Sequence, residues 1–327
     1  MSEVDDRIIK ACHVLRRESK ELYLSDRVAE VEERVSPLKF YRDHVSKNLP
    51  LLIKNGIRHW KATGKWGFPY FRETMPDKEI IVAVTPNGYA DAIAPDADGK
   101  EYFVEPEERT IRVAALIDEF ENPTDDEVYY VQRQNSNFET EYSELWRDVD
   151  RDLPWATEAF GKDPDAINFW MGDRRAVTSM HKDPYENIYC VVAGEKEFIL
   201  HPPTDLPWIP YGRYPSATYK RLENREWIVD PVSSPKSDTP CDVEEGQTNV
   251  IPWISVDPLR PDYERYPLYK NVNTVRVKVE AGDVLYLPSL WFHHVRQSHG
   301  CVAINYWYDM EYDIKYAYHT ALQSLCE

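Results

Sequence analysis

Between Ala166 and Tyr308 the chain is crowded with short apolar-rich segments, and that crowding limits the folds open to it. Segments 167–171, 176–180, 188–193, 196–200, 274–279, 284–287, 291–295 and 301–308 each have the length and composition of a strand. Gly194-Glu195 joins two of them as a short hairpin turn. Many short strands at close intervals point to a sandwich or barrel of the jelly-roll kind. An aromatic content of 13%, with 22 Tyr and 10 Trp, agrees with β architecture or a ring-lined pocket.

Inside this run stands His181-Lys182-Asp183. Residues i and i+2 of a strand share a face, so His181 and Asp183 can address one metal while Lys182 points away. Two imidazoles and one carboxylate are the ligand set of a mononuclear Fe(II) centre, leaving positions open for a co-substrate and O2. The third ligand would come from the doublet His293-His294. Parity groups His293 with Trp291 and Val295, and His294 with Phe292. A one-residue slip exchanges the two histidines, so parity alone does not choose between them. On the next segment Cys301, Ala303, Asn305 and Trp307 share a face that suits a pocket lining.

Lys196 follows thirteen residues after Asp183 and heads a strand with Phe198 and Leu200 on its own side. Pointing inward, its ammonium would need a partner. A dicarboxylate co-substrate would serve, with the hydroxyls of Thr178 and Tyr130 adding hydrogen bonds. The other reading places Lys196 at an exposed hairpin shoulder.

Elsewhere the pattern is plainer. Apolar spacing from Val4 to about Glu33 predicts one or two amphipathic helices, and 313–325 predicts a closing helix. Proline-rich sequence at 204–269 predicts a long loop inserted into the strand set. A net charge of −18 argues against direct nucleic-acid binding. Cys12, Cys190, Cys241, Cys301 and Cys326 show no paired spacing, so neither a disulfide framework nor a zinc ribbon is expected. With no signal-like start and no apolar run of membrane length, a soluble intracellular protein is expected.

His181-Lys182-Asp183, Asn187, Gly194-Glu195-Lys196, Tyr286-Leu287-Pro288, Trp291-Phe292-His293-His294 and Asn305-Tyr306-Trp307-Tyr308 together resemble the jumonji-C oxygenases. The nearest group is the subfamily similar to the asparaginyl hydroxylase that inhibits hypoxia-inducible factor. The resemblance runs from about Pro37 to Leu325, through stretches such as 84–92, 185–192 and 306–313. It implies a mainly β fold, a double-stranded β-helix with flanking α-helices. The corresponding domain division is a helical extension at 1–36 and an oxygenase domain at 37–327, with core strands at about 128–308.

The resemblance further implies Fe(II) held by His181, Asp183 and His293, with 2-oxoglutarate and O2 as co-substrates. It assigns Lys196 to the distal carboxylate of 2-oxoglutarate, with Thr178 and Tyr130 as hydroxyl partners, and puts Asn187 and Asn305 near the metal-proximal end. The implied activity is (3S)-hydroxylation of a lysine in a developmentally regulated GTP-binding protein. The alternatives are a histone-directed demethylase, an arginine- and lysine-directed peptidase, and a non-oxygenase cupin metal enzyme. For a lysine substrate, Glu186 and Asp309 are candidate carboxylates near the mouth, with Tyr185 and Trp307 as aromatic neighbours. The expected partner is a protein with a basic recognition segment, without nucleic acid or membrane, and a homodimer is left open. The expected location is the cytoplasm, with the nucleus as a second site.

Overall fold

The structure, a computed structural model, describes residues 3–32, 35–134, 136–232 and 250–326; Cys241 and the middle of the proline-rich stretch lie outside them. Two sheets face each other around a shared interior. The larger has nine strands in the order Ala29–Glu32, Leu51–Lys54, Val284–Leu287, Tyr185–Ala193, Cys301–Asp309, Ala166–Gly172, Val128–Val131, Glu79–Thr85 and Glu107–Arg112. The smaller has five, in the order Val275–Glu280, Glu195–His201, Phe292–Gln297, Val177–His181 and Tyr89–Ala90.

Alternation explains why the sheets pack as they do. In Val275–Glu280 every valine is buried and Arg276, Lys278 and Glu280 are exposed, so one face meets the core and the other meets water. Tyr189, Val191, Phe198, Leu200, Leu285, Val295 and Ala303 fill the space between the sheets. Ala166–Gly172 is buried along its whole length because the large sheet is covered on both faces. Its outer cover is helical. In helix Val113–Glu121 the buried residues are Val113, Leu116, Ile117 and Phe120, a single stripe at 3.6-residue spacing. This is the expected double-stranded β-helix, mainly β with flanking helices.

Residues 204–269 depart from the expected loop. Strands Tyr211–Arg221, Trp227–Pro231 and Val250–Ile254 join Ala92–Pro95 and Glu101–Glu105 in a third sheet. The link is a parallel pairing of Ser216 with Phe103, a partner more than a hundred residues away that local pattern cannot reveal. Prolines are tolerated because Val250–Ile254 has one paired neighbour, so Pro252 sits on an edge strand. The insertion buries Leu206, Ile209 and Ile254 against Met180, Ile199 and Phe292 on the back of the small sheet.

The N-terminal stretch holds one helix, Glu3–Leu22, followed by strand Ala29–Glu32 instead of a second helix. That strand runs parallel to Leu51–Lys54 and extends the large sheet. The helix braces the insertion: the His13 ring lies 4.9 Å from that of Trp208, and the Arg16 guanidinium donates to the Asn271 carbonyl.

One buried histidine sets a pH limit on this packing. His201 ends a central strand with no exposed surface, and its Nε2 lies 2.8 Å from the Tyr269 hydroxyl. Burial pushes its pKa from 6.5 down to about 4. Between those values the unfolded chain takes up a proton that the folded chain refuses, so stability falls as pH drops from about 6.5 to about 4. Melting temperature measured across that range should decline on acidification, and His201→Asn should flatten the slope. An unchanged slope in the variant would remove His201 from the explanation.

Candidate active site

Strands Val177–His181 and Phe292–Gln297 pair antiparallel, with His181 opposite His293. Asp183 lies just past the end of the first strand and is anchored by its backbone, whose carbonyl accepts the Leu290 N–H at 2.9 Å. The Asp183 Oδ2 stands 3.6 Å from the Nε2 atoms of both His181 and His293. One donor atom from each of the three residues lies within 4.8 Å of the others. Metal–ligand bonds of about 2.1 Å span up to about 4.2 Å across an ion, and both 3.6 Å separations lie inside that span, as one shared metal requires. Both imidazoles present the right nitrogen. The Nδ1–H of His181 donates to the Ser179 carbonyl at 2.8 Å, and that of His293 to the Trp291 carbonyl at 3.0 Å. A carbonyl can only accept, so the proton is fixed at Nδ1 and each Nε2 lone pair is free.

The charges couple within the triad. Burial acts to lower the pKa of His181, but Asp183 outweighs it and the net shift is upward. For Asp183 burial acts upward, and the two histidines outweigh it to give a net downward shift. His293 is pushed down to about 4, by burial first and then by His181. Its neighbour His294 faces the other way, opposite Ile199, buried toward the insertion.

A bulge adds Thr178 to the same face. Thr178 pairs with Val295 and His181 with His293, so the first strand carries one residue more than its partner. Without it, Thr178 and His181 would point to opposite faces.

Lys196 is interior, 2% exposed, so the hairpin-shoulder reading does not hold. Its ammonium donates to the Tyr130 hydroxyl and to Gln297 Oε1, both at 2.9 Å. The rings of Tyr130, Trp170 and Tyr189 surround it at 5.4–5.9 Å. No carboxylate pairs with it among the described residues, which leaves a buried cation ready for an anionic ligand. Gly172 makes room here. A Cβ at that position would meet the Tyr130 ring at 2.7 Å and collide with the Gln297 amide. Nearby, Asn305 donates from Nδ2 to Asn187 Oδ1 at 3.1 Å and accepts the Trp170 indole N–H at 2.7 Å.

Comparison with known proteins agrees with this geometry. Residues 37–314 match the family described as a cupin-like domain. The human protein named bifunctional peptidase and (3S)-lysyl hydroxylase JMJD7 is 47% identical over 308 residues, covering 94% of this chain and 92% of its own. The chain belongs to the jumonji oxygenases of the cupin-like family. Arabidopsis thaliana lysine-specific demethylase JMJ32 is 40% identical over 323 residues, covering 95% of this chain and 90% of its own. The JmjC domain-containing protein E of Dictyostelium discoideum is 36% identical over 344 residues, with 97% and 93% coverage. Membership makes the chain a 2-oxoglutarate-dependent dioxygenase, and the family works with Fe(II) and 2-oxoglutarate.

The oxygenase's substrate side differs from the sequence expectation. Glu186 is not at a mouth. It is buried, and its carboxylate accepts the Tyr286 hydroxyl at 2.6 Å and the Ser289 hydroxyl at 2.9 Å. Burial raises its pKa, an effect those hydrogen bonds partly offset. Parity carries the physical reason: if Asn187 faces the interior, Glu186 must face the helical layer. Tyr185 and Trp307 stack at 4.8 Å with their planes 2° apart, and the Tyr185 hydroxyl reaches Asp165 at 3.4 Å. Asp309 is exposed, and its carbonyl accepts from Lys162. None of these four lines the cleft that opens on the triad.

That cleft encloses about 730 Å³ and is walled by Thr178, His181, Asp183, Asp91, Glu105 and Trp253. Trp253 comes from the insertion. Its ring lies parallel to His181 at 6.2 Å, and its indole N–H donates to Ser179 Oγ at 3.2 Å. Gln297 had no signal in the sequence, since only the folded ladder sets it opposite Lys196. Asp91 and Trp253 had none, because long-range pairing brings them in.

Proposed function

We propose that this oxygenase is an Fe(II)- and 2-oxoglutarate-dependent lysyl hydroxylase acting on a protein, with a developmentally regulated GTP-binding protein as the substrate class. The observation that carries the reading is one shared interior. Lys196 and His293 both face it, where a carboxylate-free ammonium and a two-imidazole, one-carboxylate set coexist. The name of the human relative supports lysine as the target residue.

In this reading His181, Asp183 and His293 hold iron, and Lys196 with Tyr130 and Thr178 holds the far carboxylate of 2-oxoglutarate. The iron, when bound, couples O2 to oxidative decarboxylation of 2-oxoglutarate to succinate and to oxidation of a substrate C–H bond. The chain's own part is geometric and electrostatic. Ser179 and Trp291 carbonyls orient the two imidazoles, and Asp183 supplies the anionic donor. The Lys196 charge fixes one end of the dicarboxylate, and Trp253 screens His181 from water.

Incubation with iron, 2-oxoglutarate and a lysine-bearing peptide from such a GTP-binding protein tests the proposal by mass spectrometry. The expected product gains one oxygen, with succinate formed in step. Loss of a methyl group would support demethylation, and chain scission would support the peptidase reading. Turnover that persists without 2-oxoglutarate would point to a non-oxygenase cupin enzyme.

A further inference from the structure

Hydroxylating a lysine requires that its ammonium be received close to the metal ligands, since only four bonds separate C3 from the nitrogen. The cleft that contains His181 and Asp183 also contains three carboxylates outside the triad: Asp91, Glu105 and Glu108. Among the described residues Arg133 is the one arginine or lysine on its lining, and it is already paired with Glu141 at 3.2 Å. Glu105 and Glu108 carry no ion pair among the described residues. The Asp91 carboxylate accepts one long hydrogen bond, from Gln132 Nε2 at 3.4 Å. The cleft is therefore acidic and short of a cation, next to the place where the reacting carbon must lie.

Asp91 is tied to the triad through a single residue. Ser179 donates its hydroxyl to the Asp91 carbonyl at 2.6 Å, and the carbonyl of Ser179 accepts the Nδ1–H of His181. Glu105 lies within electrostatic reach of Asp91. Phe103 and Trp253 line the same cleft as an aromatic pair, ring centroids 4.6 Å apart, suited to the methylene stem of a lysine. Half-buried carboxylates with no cation beside them are unfavourable, and a cation entering between them offsets that cost.

We propose that Asp91 and Glu105 together receive the ammonium of the substrate lysine, with Glu108 extending the acidic path along the cleft. The assignment rests on the lysyl-hydroxylase reading. It replaces Glu186 and Asp309 as the recognition carboxylates.

The test compares two peptides that span the modified lysine, one with lysine and one with norleucine, which keeps C3 and removes the charge. Binding is measured by calorimetry without O2, with iron and 2-oxoglutarate present, so affinity is read without turnover. The wild-type chain should prefer lysine by about 10- to 100-fold, the worth of a hydrogen-bonded charge pair. Asp91→Asn and Glu105→Gln should each cut that ratio several-fold, and the double variant should bring it near one, by weakening the lysine peptide alone. Asparagine tolerates the left-handed backbone of Asp91, φ 51°, so the first variant keeps the local fold; melting temperature checks it. A wild-type preference that survives the double variant overturns the proposal and leaves lysyl hydroxylation standing. A wild-type chain that neither prefers nor hydroxylates the lysine peptide overturns both.

Discussion

Asp183→Ala should stop succinate formation from 2-oxoglutarate, with a loss of at least about 100-fold. Losing a group that merely orients a metal ligand costs about 10- to 100-fold, and Asp183 offers the donor atom itself. The geometry makes the effect local. The backbone contact of Asp183, its carbonyl to the Leu290 N–H, survives in alanine, so strand and turn should keep their places. The two imidazoles stay oriented by Ser179 and Trp291, and a residual two-nitrogen site remains. Two measurements separate the chemistry from the fold. Melting temperature should change little, while metal titration should show weakened binding and succinate should fall to background. Succinate production at the wild-type rate would remove the triad from the mechanism.

How much of this was readable in advance follows from the range of each constraint. Period-two parity groups His181 with Asp183, the family resemblance alone selects His293 over His294, and the three converge as expected. Lys196 left two readings open until the packing put rings around its ammonium. Thr178 needed the bulge, an extra residue that no hydrophobic pattern marks. Glu186 is instructive in the other direction, because the parity that turned Asn187 inward already turned Glu186 outward. The insertion was opaque for a different reason. Its strands find their partners through the parallel pairing of Ser216 with Phe103 and the antiparallel pairing of Gly212 with Trp253. These long-range contacts accompany the approach of Trp253 to His181 and of Glu105 to the cleft.

Lys196→Met tests the co-substrate pocket, and it should separate stability from function. In the chain alone the Lys196 ammonium is held by two neutral acceptors, Tyr130 and Gln297, inside three aromatic rings. A buried charge without a counter-charge is costly, and replacing such a group by an apolar one of similar size is often neutral or stabilising. Gln297 keeps its bond to the Asp173 carbonyl at 3.0 Å in the variant, so the ladder beside it stays anchored. The melting temperature without 2-oxoglutarate should therefore equal or exceed that of the wild type. With 2-oxoglutarate at about 100 times its Kd, the wild type should gain about 2.7 kcal/mol by mass action, a rise of several degrees. The variant should gain only about 0.4 kcal/mol at that concentration, because the charge-assisted bond to the far carboxylate is gone and its KM for 2-oxoglutarate should rise about 100-fold. Two results would count against this account. A variant that is several degrees less stable without 2-oxoglutarate makes Lys196 a structural cation. A variant that keeps the 2-oxoglutarate-dependent rise places the far carboxylate on some other group, and Lys196 then has no claim to the pocket.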